Sequence, residues 1–152
     1  RRADDMGSPS FLQRRLMEHL WGKFMMDGHS EAKLSKVDPL LAKVIRMAFL
    51  TSPYVFTVSQ GLRTLEEQEA LYAQGRTKPG KIVTWTMDSK HLTGRAVDIA
   101  VFVGGKIIWD EWYYDEMSKH ILSVARHLDI AVEWGGTFPK PDRPHYQIDD
   151  KA

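Results

Sequence analysis

The stretch Ala96-Val-Asp-Ile-Ala-Val-Phe-Val103 constrains this chain more than any other. It is apolar except for one carboxylate, and its β-branched residues predict a strand. With a period of two, Val97, Ile99, Val101 and Val103 share one face, while Asp98 shares the other with Ala96 and Ala100. An ionised carboxylate in such surroundings is costly unless it is compensated. Its two small neighbours leave space for a partner, and a cation is the natural candidate.

The remaining pattern is a mixture of helices and strands. Asp38-Pro39 reads as a helix start, because Asp accepts orphan amides and Pro suits the first helical position. Leu40, Leu41, Val44, Ile45, Ala48 and Phe49 then give one apolar face. A strand is predicted over Tyr54 to Gln60. Thr64-Leu-Glu-Glu67 is a capping box that opens a helix ending at Gly75. Ile82 to Thr86 reads as a short strand. Gly104-Gly105 joins the Ala96–Val103 strand to Lys106–Trp109 as a hairpin. Met117, Ile121, Val124, Ala125 and Leu128 mark a helix from about Glu111. A strand follows over Ile130–Trp134, and then a Gly- and Pro-rich loop from Gly135 to Pro144. Tyr146–Ile148 is expected to close the sheet. The fold class is α+β, with helices packed on a small antiparallel sheet.

A length of 152 residues predicts one domain, since about 100–200 residues usually make one. Ahead of it, Arg1 to Ser10 is polar and aperiodic, and Phe11 to Met26 spaces Leu12, Leu16, Leu20 and Phe24 by four. The expected division is an N-terminal extension over residues 1–25, either a docking helix or an appended segment, and a main domain over 26–152. Lys and Arg number 21 against 20 Asp and Glu, a net charge of +1 that argues against a nucleic-acid or membrane-surface partner. No apolar run approaches the roughly 18 residues of a membrane span, and no secretory signal is visible. The expectation is a soluble, monomeric protein made in the cytosol. There is no Cys, so thiol nucleophiles, disulfides and thiolate metal sites are excluded, and any metal must sit on His, Asp or Glu.

Two histidines suit Asp98. His91 lies seven residues earlier, an odd offset that a straight strand would turn away, but Gly94 permits a bend between them. His145 follows Asp142-Arg143-Pro144, where the chain returns to a strand. Two imidazoles and one carboxylate form a three-ligand zinc set with an open position. By spacing alone this reading stands beside a structural ion pair for Asp98. His19, His29, His120 and His127 read as ordinary structural or surface residues, and Arg76, Lys78 and Lys81 as a solvated face.

The residues around the proposed ligands are more specific. Ser89-Lys-His-Leu-Thr-Gly-Arg-Ala-Val-Asp98 fits Ser-x-His-x-x-Gly-x-Ala-x-Asp and resembles the first zinc motif of the D-alanyl-D-alanine peptidase family, whose fold is shared with lysostaphin-type peptidases and hedgehog domains. Asp142 and His145 match the second motif, an acid three positions before a His. Ser59-Gln-Gly-Leu-Arg-Thr64 resembles the strand-end segment that carries a substrate-binding Arg. Glu133-Trp-Gly-Gly136 followed by Asp142-Arg-Pro-His-Tyr146 is most similar to the phage branch, L-alanyl-D-glutamate endopeptidases that cut peptidoglycan stem peptides. The resemblance spans about Ser30 to Ile148.

That resemblance implies a zinc peptidase domain in which His91, Asp98 and His145 bind Zn2+. Asp142 would be the general base, with Glu133 as the fallback because many relatives carry Glu where Asp142 stands. Arg63 would hold the substrate carbonyl or stabilise the oxyanion, and Ser89 would donate to a substrate carboxylate or carbonyl. Trp134 and Tyr146 are candidates for either the cleft or the core. The function expected is that of a single-module phage endolysin, held in the host cytoplasm until the membrane is breached. The alternatives are a D-alanyl-D-alanine carboxypeptidase or dipeptidase, and a non-catalytic wall-binding module.

Overall fold

The computed structural model describes residue 12 and residues 26–152. Apart from Leu12, the expected amphipathic segment and the division of the chain at residue 25 lie outside the described residues.

Helix α1 (Gly28–Leu34) has no apolar repeat long enough to announce it and was not expected. The Asp27 carboxylate caps it, accepting from the Ser30 N–H at 2.9 Å and the Ser30 hydroxyl at 2.7 Å. Helix α2 (Pro39–Thr51) begins as its sequence predicts, with Asp38 accepting from the Leu40 and Leu41 amides. Its buried face is Leu41, Val44, Ile45, Ala48 and Phe49, whereas Leu40, in the open first turn, is 55% exposed. Helix α3 (Leu65–Ala73) forms both bonds of the Thr64–Glu67 capping box. Helix α4 (Glu111–His127) buries Met117, Ile121, Val124 and Ala125.

Strand β1 (Val55–Gln60) runs antiparallel to β2 (Ala96–Val103). On its other side β2 is divided. Ala96–Asp98 pairs with β5 (His145–Ile148), and Val101–Val103 pairs with β3 (Lys106–Ile108) through the hairpin at Gly104 and Gly105. Both hairpin glycines have positive φ, 58° and 77°, as a primed turn requires. Strand β4 (Val132–Trp134) then pairs with β5, giving the order β1-β2-β5-β4. The expectation that Tyr146–Ile148 closes the sheet is corrected: β5 is an inner strand and β4 is at the edge. Tyr146 and His145 are buried while all three β4 residues are half-buried, as befits an inner strand beside an edge strand.

The expected strand over Ile82–Thr86 does not form. Ile82, Val83 and Trp85 are exposed at 38%, 54% and 57%, and the Thr84 and Thr86 carbonyls accept from side chains instead of a strand. Its β-branched composition satisfied propensity alone, and the segment pairs with no strand of the sheet.

Helices α2 and α4 cover the face that carries Val97, Ile99 and Val101, making one core with Leu41, Ile45, Met117 and Ile121. The opposite face of β2 holds Asp98. Tyr114 fastens the two layers: its hydroxyl accepts from the Val101 amide at 3.1 Å and donates to the Ile108 carbonyl at 2.9 Å. Tyr114→Phe strands both buried backbone groups, and an unmade buried hydrogen bond costs about 1–3 kcal/mol. Urea unfolding should show a loss of that size with an unchanged slope; wild-type stability would mean the hydroxyl is not a fastener.

A candidate metal centre in an open cleft

Register brings the first two candidate ligands together, because Asp98 on β2 stands directly opposite His145 on β5. The third arrives by a local device. Ser89 caps a single 3-10 turn, Lys90–Thr93, by accepting from the His91 N–H at 3.3 Å. Gly94 ends the turn in the left-handed region at φ 68°. A Cβ there would also sit 2.9 Å from the Lys36 carbonyl oxygen, so both conformation and space call for glycine. This is the bend that the odd offset of His91 and Asp98 demanded.

His91, Asp98 and His145 each offer one ligand atom, all within 4.8 Å of one another. His91 Nε2 lies 3.2 Å and His145 Nδ1 3.1 Å from the same Asp98 oxygen, Oδ1. The outer nitrogens fix the tautomers. His91 Nδ1 faces the Gly61 carbonyl at 2.8 Å, which only accepts, so this nitrogen carries the hydrogen. His145 Nε2 faces Gln147 Oε1 at 2.8 Å, while Gln147 Nε2 donates to Glu133 Oε2 at 3.0 Å. Glu133 can only accept, so it orients the amide, and the amide in turn makes His145 Nε2 the donor. With both rings neutral, two lone pairs and a carboxylate meet at one place. That set is repulsive until a proton or a cation occupies it, and it has the composition of a divalent-cation site.

The titration directions describe the same set with protons in the place of a cation. Burial alone would raise Asp98, but hydrogen bonds from His145 and His91 and their charges outweigh it and hold this carboxyl well below the ordinary range. His145 is opposed by burial yet raised by Asp98, Gln147 and Asp142. Both rings are nearly enclosed, at 2% and 6% exposure.

The centre opens into a cleft of about 830 Å³. One wall is Thr84–Thr86 and Asp88–Lys90; the other is Phe138–Asp142, and the Lys140 ammonium sits 3.2 Å from the centroid of the Trp85 ring between them. Asp142 places a carboxylate oxygen 3.9 Å from His145 Nδ1. Its side chain keeps 54% exposure, yet desolvation in the cleft and then the Asp98 charge raise its pKa. Arg63 and Ser89 line the same cleft. Arg63 is 8% exposed, and its backbone amide donates to the His91 carbonyl at 2.9 Å.

Glu133 is not among the residues lining the cleft; it faces Gln147. Tyr146 is in the core. Trp134 donates its indole N–H to the Arg143 carbonyl at 2.7 Å and so braces the loop that delivers His145. His120 bonds the Ala48 carbonyl, as a structural histidine does. Gln68 and Gln147 were not singled out from the sequence. Their signals were available: Gln147 alternates onto the same face of β5 as His145, and Gln68 occupies the inward position of a capped helix.

The loop from Gly135 to Pro144 is fixed by close approach. The Asp142 amide donates to the Gly135 carbonyl at 2.9 Å, and a Cβ on Gly135 would run into the Asp142 carbonyl oxygen and come within 2.9 Å of His145 Cβ.

A family model described as phage L-alanyl-D-glutamate peptidase matches residues 22–152. The chain is 40% identical over 129 residues to the L-alanyl-D-glutamate peptidase of Escherichia phage T5, covering 82% of this chain and 89% of that protein. It is 36% identical over 100 residues to the peptidoglycan L-alanyl-D-glutamate endopeptidase CwlK of Bacillus subtilis, covering 60% and 59%. Among solved structures, the L-Ala D-Glu endopeptidase ChiX of Serratia marcescens superposes with a TM-score of 0.71 at 36% identity, covering 80% of this chain and 87% of that one.

Gly135→Ala should cost about 1–3 kcal/mol of stability, the usual penalty for overfilling a packed site. Thermal or urea unfolding checks the figure; a neutral substitution would show that the loop does not depend on this contact.

Proposed function

The chain belongs to the phage L-alanyl-D-glutamate peptidase family, and on that premise we propose that it hydrolyses the L-Ala–D-Glu amide of peptidoglycan stem peptides with a zinc ion held by His91 Nε2, Asp98 and His145 Nδ1. The observation that carries this reading is the convergence of those three side chains at the floor of a cleft that Asp142 and Arg63 also line. The residues fit the metal: both outer nitrogens are satisfied, and both inner ones face the same Asp98 oxygen, the place a cation would take. Such an ion supplies Lewis acidity and lowers the pKa of a coordinated water toward neutrality.

The protein groups do the rest. Asp142 is the general base, taking a proton from the attacking water and returning it to the leaving D-Glu nitrogen. Its place in the cleft beside the proposed ligand His145 puts it within reach of such a water. Arg63 directs a fixed positive charge at the scissile carbonyl oxygen as negative charge develops there. The Ser89 hydroxyl donates to a carbonyl or carboxylate of the stem peptide. Glu133 serves the metal site from behind, through Gln147, rather than as the base. The site of action we propose is the wall of a bacterial host, reached by a monomer from the host cytoplasm once the membrane is breached, a role that the phage description of the family supports.

The deciding experiment digests purified peptidoglycan with metal-loaded protein and identifies the released termini by mass spectrometry. New N-terminal D-Glu is the expected result. Release of free D-Ala would point to a carboxypeptidase, and no cleavage at all to a binding module.

His91→Ala should lose both bound metal and activity. Asp142→Asn should keep the metal while kcat falls about 10²–10⁴-fold, the range for removing a general base. Gln147→Leu should weaken metal affinity about 10–100-fold, as losing a partner that orients a ligand does. Chelator competition and steady-state rates on the three variants separate these roles, and a fully active Asp142→Asn removes Asp142 from the mechanism.

A further inference from the structure

Helix α3 is an unusual helix, because the residue it buries is not apolar. Leu65 at its start is 57% exposed, and Gln68 is its one buried residue, at 0% exposure. A primary amide without hydrogen-bond partners would be expensive there, and Gln68 is fully partnered. Its Oε1 accepts from Arg63 Nη1 at 2.7 Å. Its Nε2 donates to the Thr86 carbonyl at 2.6 Å and to the Thr84 hydroxyl at 3.3 Å. The amide cannot be turned around, since a guanidinium only donates and a carbonyl only accepts. Gln68 therefore joins two parts of the cleft, the Arg63 guanidinium and the Thr84–Thr86 wall.

The chemistry of the clamp matters as much as its geometry. Arg63 is more than nine-tenths buried, and buried guanidinium groups ordinarily meet a carboxylate. Here its side-chain contact at hydrogen-bond distance is a neutral amide, and the carboxylate that feels its charge, Asp142, stands across the cleft rather than bonded to it. Arg63 Nε is also buried and has no partner. An anchored cation with one donor left over is suited to an oxygen that arrives with a ligand.

We propose that Gln68 is a positioning residue that fixes Arg63 against the Thr84–Thr86 wall, leaving it a donor for a carbonyl or carboxylate oxygen of the stem peptide. The inference rests on the substrate-facing role given to Arg63 above. It assigns helix α3 and the segment before Ser89 a shared task, because displacing Gln68 would move the guanidinium and the wall together. It also explains why a segment of strand-like composition is held by side chains: its position is set from the helix that sets Arg63.

The test compares metal-loaded wild type, Arg63→Gln, Gln68→Met, Gln68→Glu and the double variant Arg63→Gln/Gln68→Met, using a stem peptide that contains L-Ala–D-Glu. Gln68→Met removes all three bonds at similar volume, and Gln68→Glu sets a carboxylate against the guanidinium. Each should lower kcat/KM about 10–100-fold, the scale of an ångström misplacement, while metal affinity by chelator competition stays within about twofold of wild type, because no metal ligand or its partner is touched. In the Arg63→Gln background, Gln68→Met should cost less than about threefold, since most of its effect passes through Arg63. Independent, multiplying losses, or wild-type kcat/KM in either Gln68 variant beside an impaired Arg63→Gln, overturn the inference and leave the Arg63 reading standing. Full activity of Arg63→Gln removes both. Should the Gln68 variants fail to fold, the Arg63 Nε–H resonance of the wild-type holoenzyme decides: it shifts on adding the peptide product if the proposal holds, and stays fixed if it does not.

Discussion

Asp98 lies on the strand that pairs with three others, one residue from the core face on either side. A carboxylate in that position is tolerable only among groups that favour its charge, and much of the surrounding architecture supplies them. The β2–β5 register sets His145 opposite it, the Gly94 bend turns His91 over it, and Gly61 and Gln147 point both rings inward by occupying their outer nitrogens. The same strand carries Val97, Ile99 and Val101 on its other face, under α2 and α4. One strand thus serves as keel of the core and floor of the reaction site, and a register slip of one residue would destroy both at once.

The parts of the fold that could be read in advance are those with strong local signals. Asp38-Pro39, the Thr64–Glu67 box, Gly104-Gly105 and the apolar repeat from Met117 to Leu128 each specify one element with little help from elsewhere. Helix α1 was missed because seven residues hold barely two turns, and its start depends on an Asp27 cap that a sequence offers in many places. Strand composition at Ile82–Thr86 was misleading because a ladder needs a partner edge, which is a tertiary fact. The position of β5 inside the sheet is tertiary too, since it follows from how Tyr146 is buried rather than from its neighbours in sequence.

At the site, the motif residues His91, Asp98 and His145 were legible, and so were Asp142, Arg63 and Ser89 as its companions. What could not be read was the support behind them. Gln147 and Gln68 are neutral and common, and their spacing places them on the right faces without saying what they touch, yet one sets the tautomer of His145 and the other holds Arg63. Glu133 looked like a spare base because it is an acid near a ligand, and only the geometry turns it toward Gln147. Ligands announce themselves by chemistry; the residues that aim them are recognised by contact alone.

The core contains no residue of the metal site. Leu41, Ile45, Ile99, Met117 and Ile121 close on one another on the far side of β2, and hydrogen bonds within the chain already hold both imidazole rings in place. Small metallodomains that use their ion as a keystone collapse when it is withdrawn. Here the groups that aim the rings belong to the protein itself, so a vessel built this way would not need an ion as its keystone.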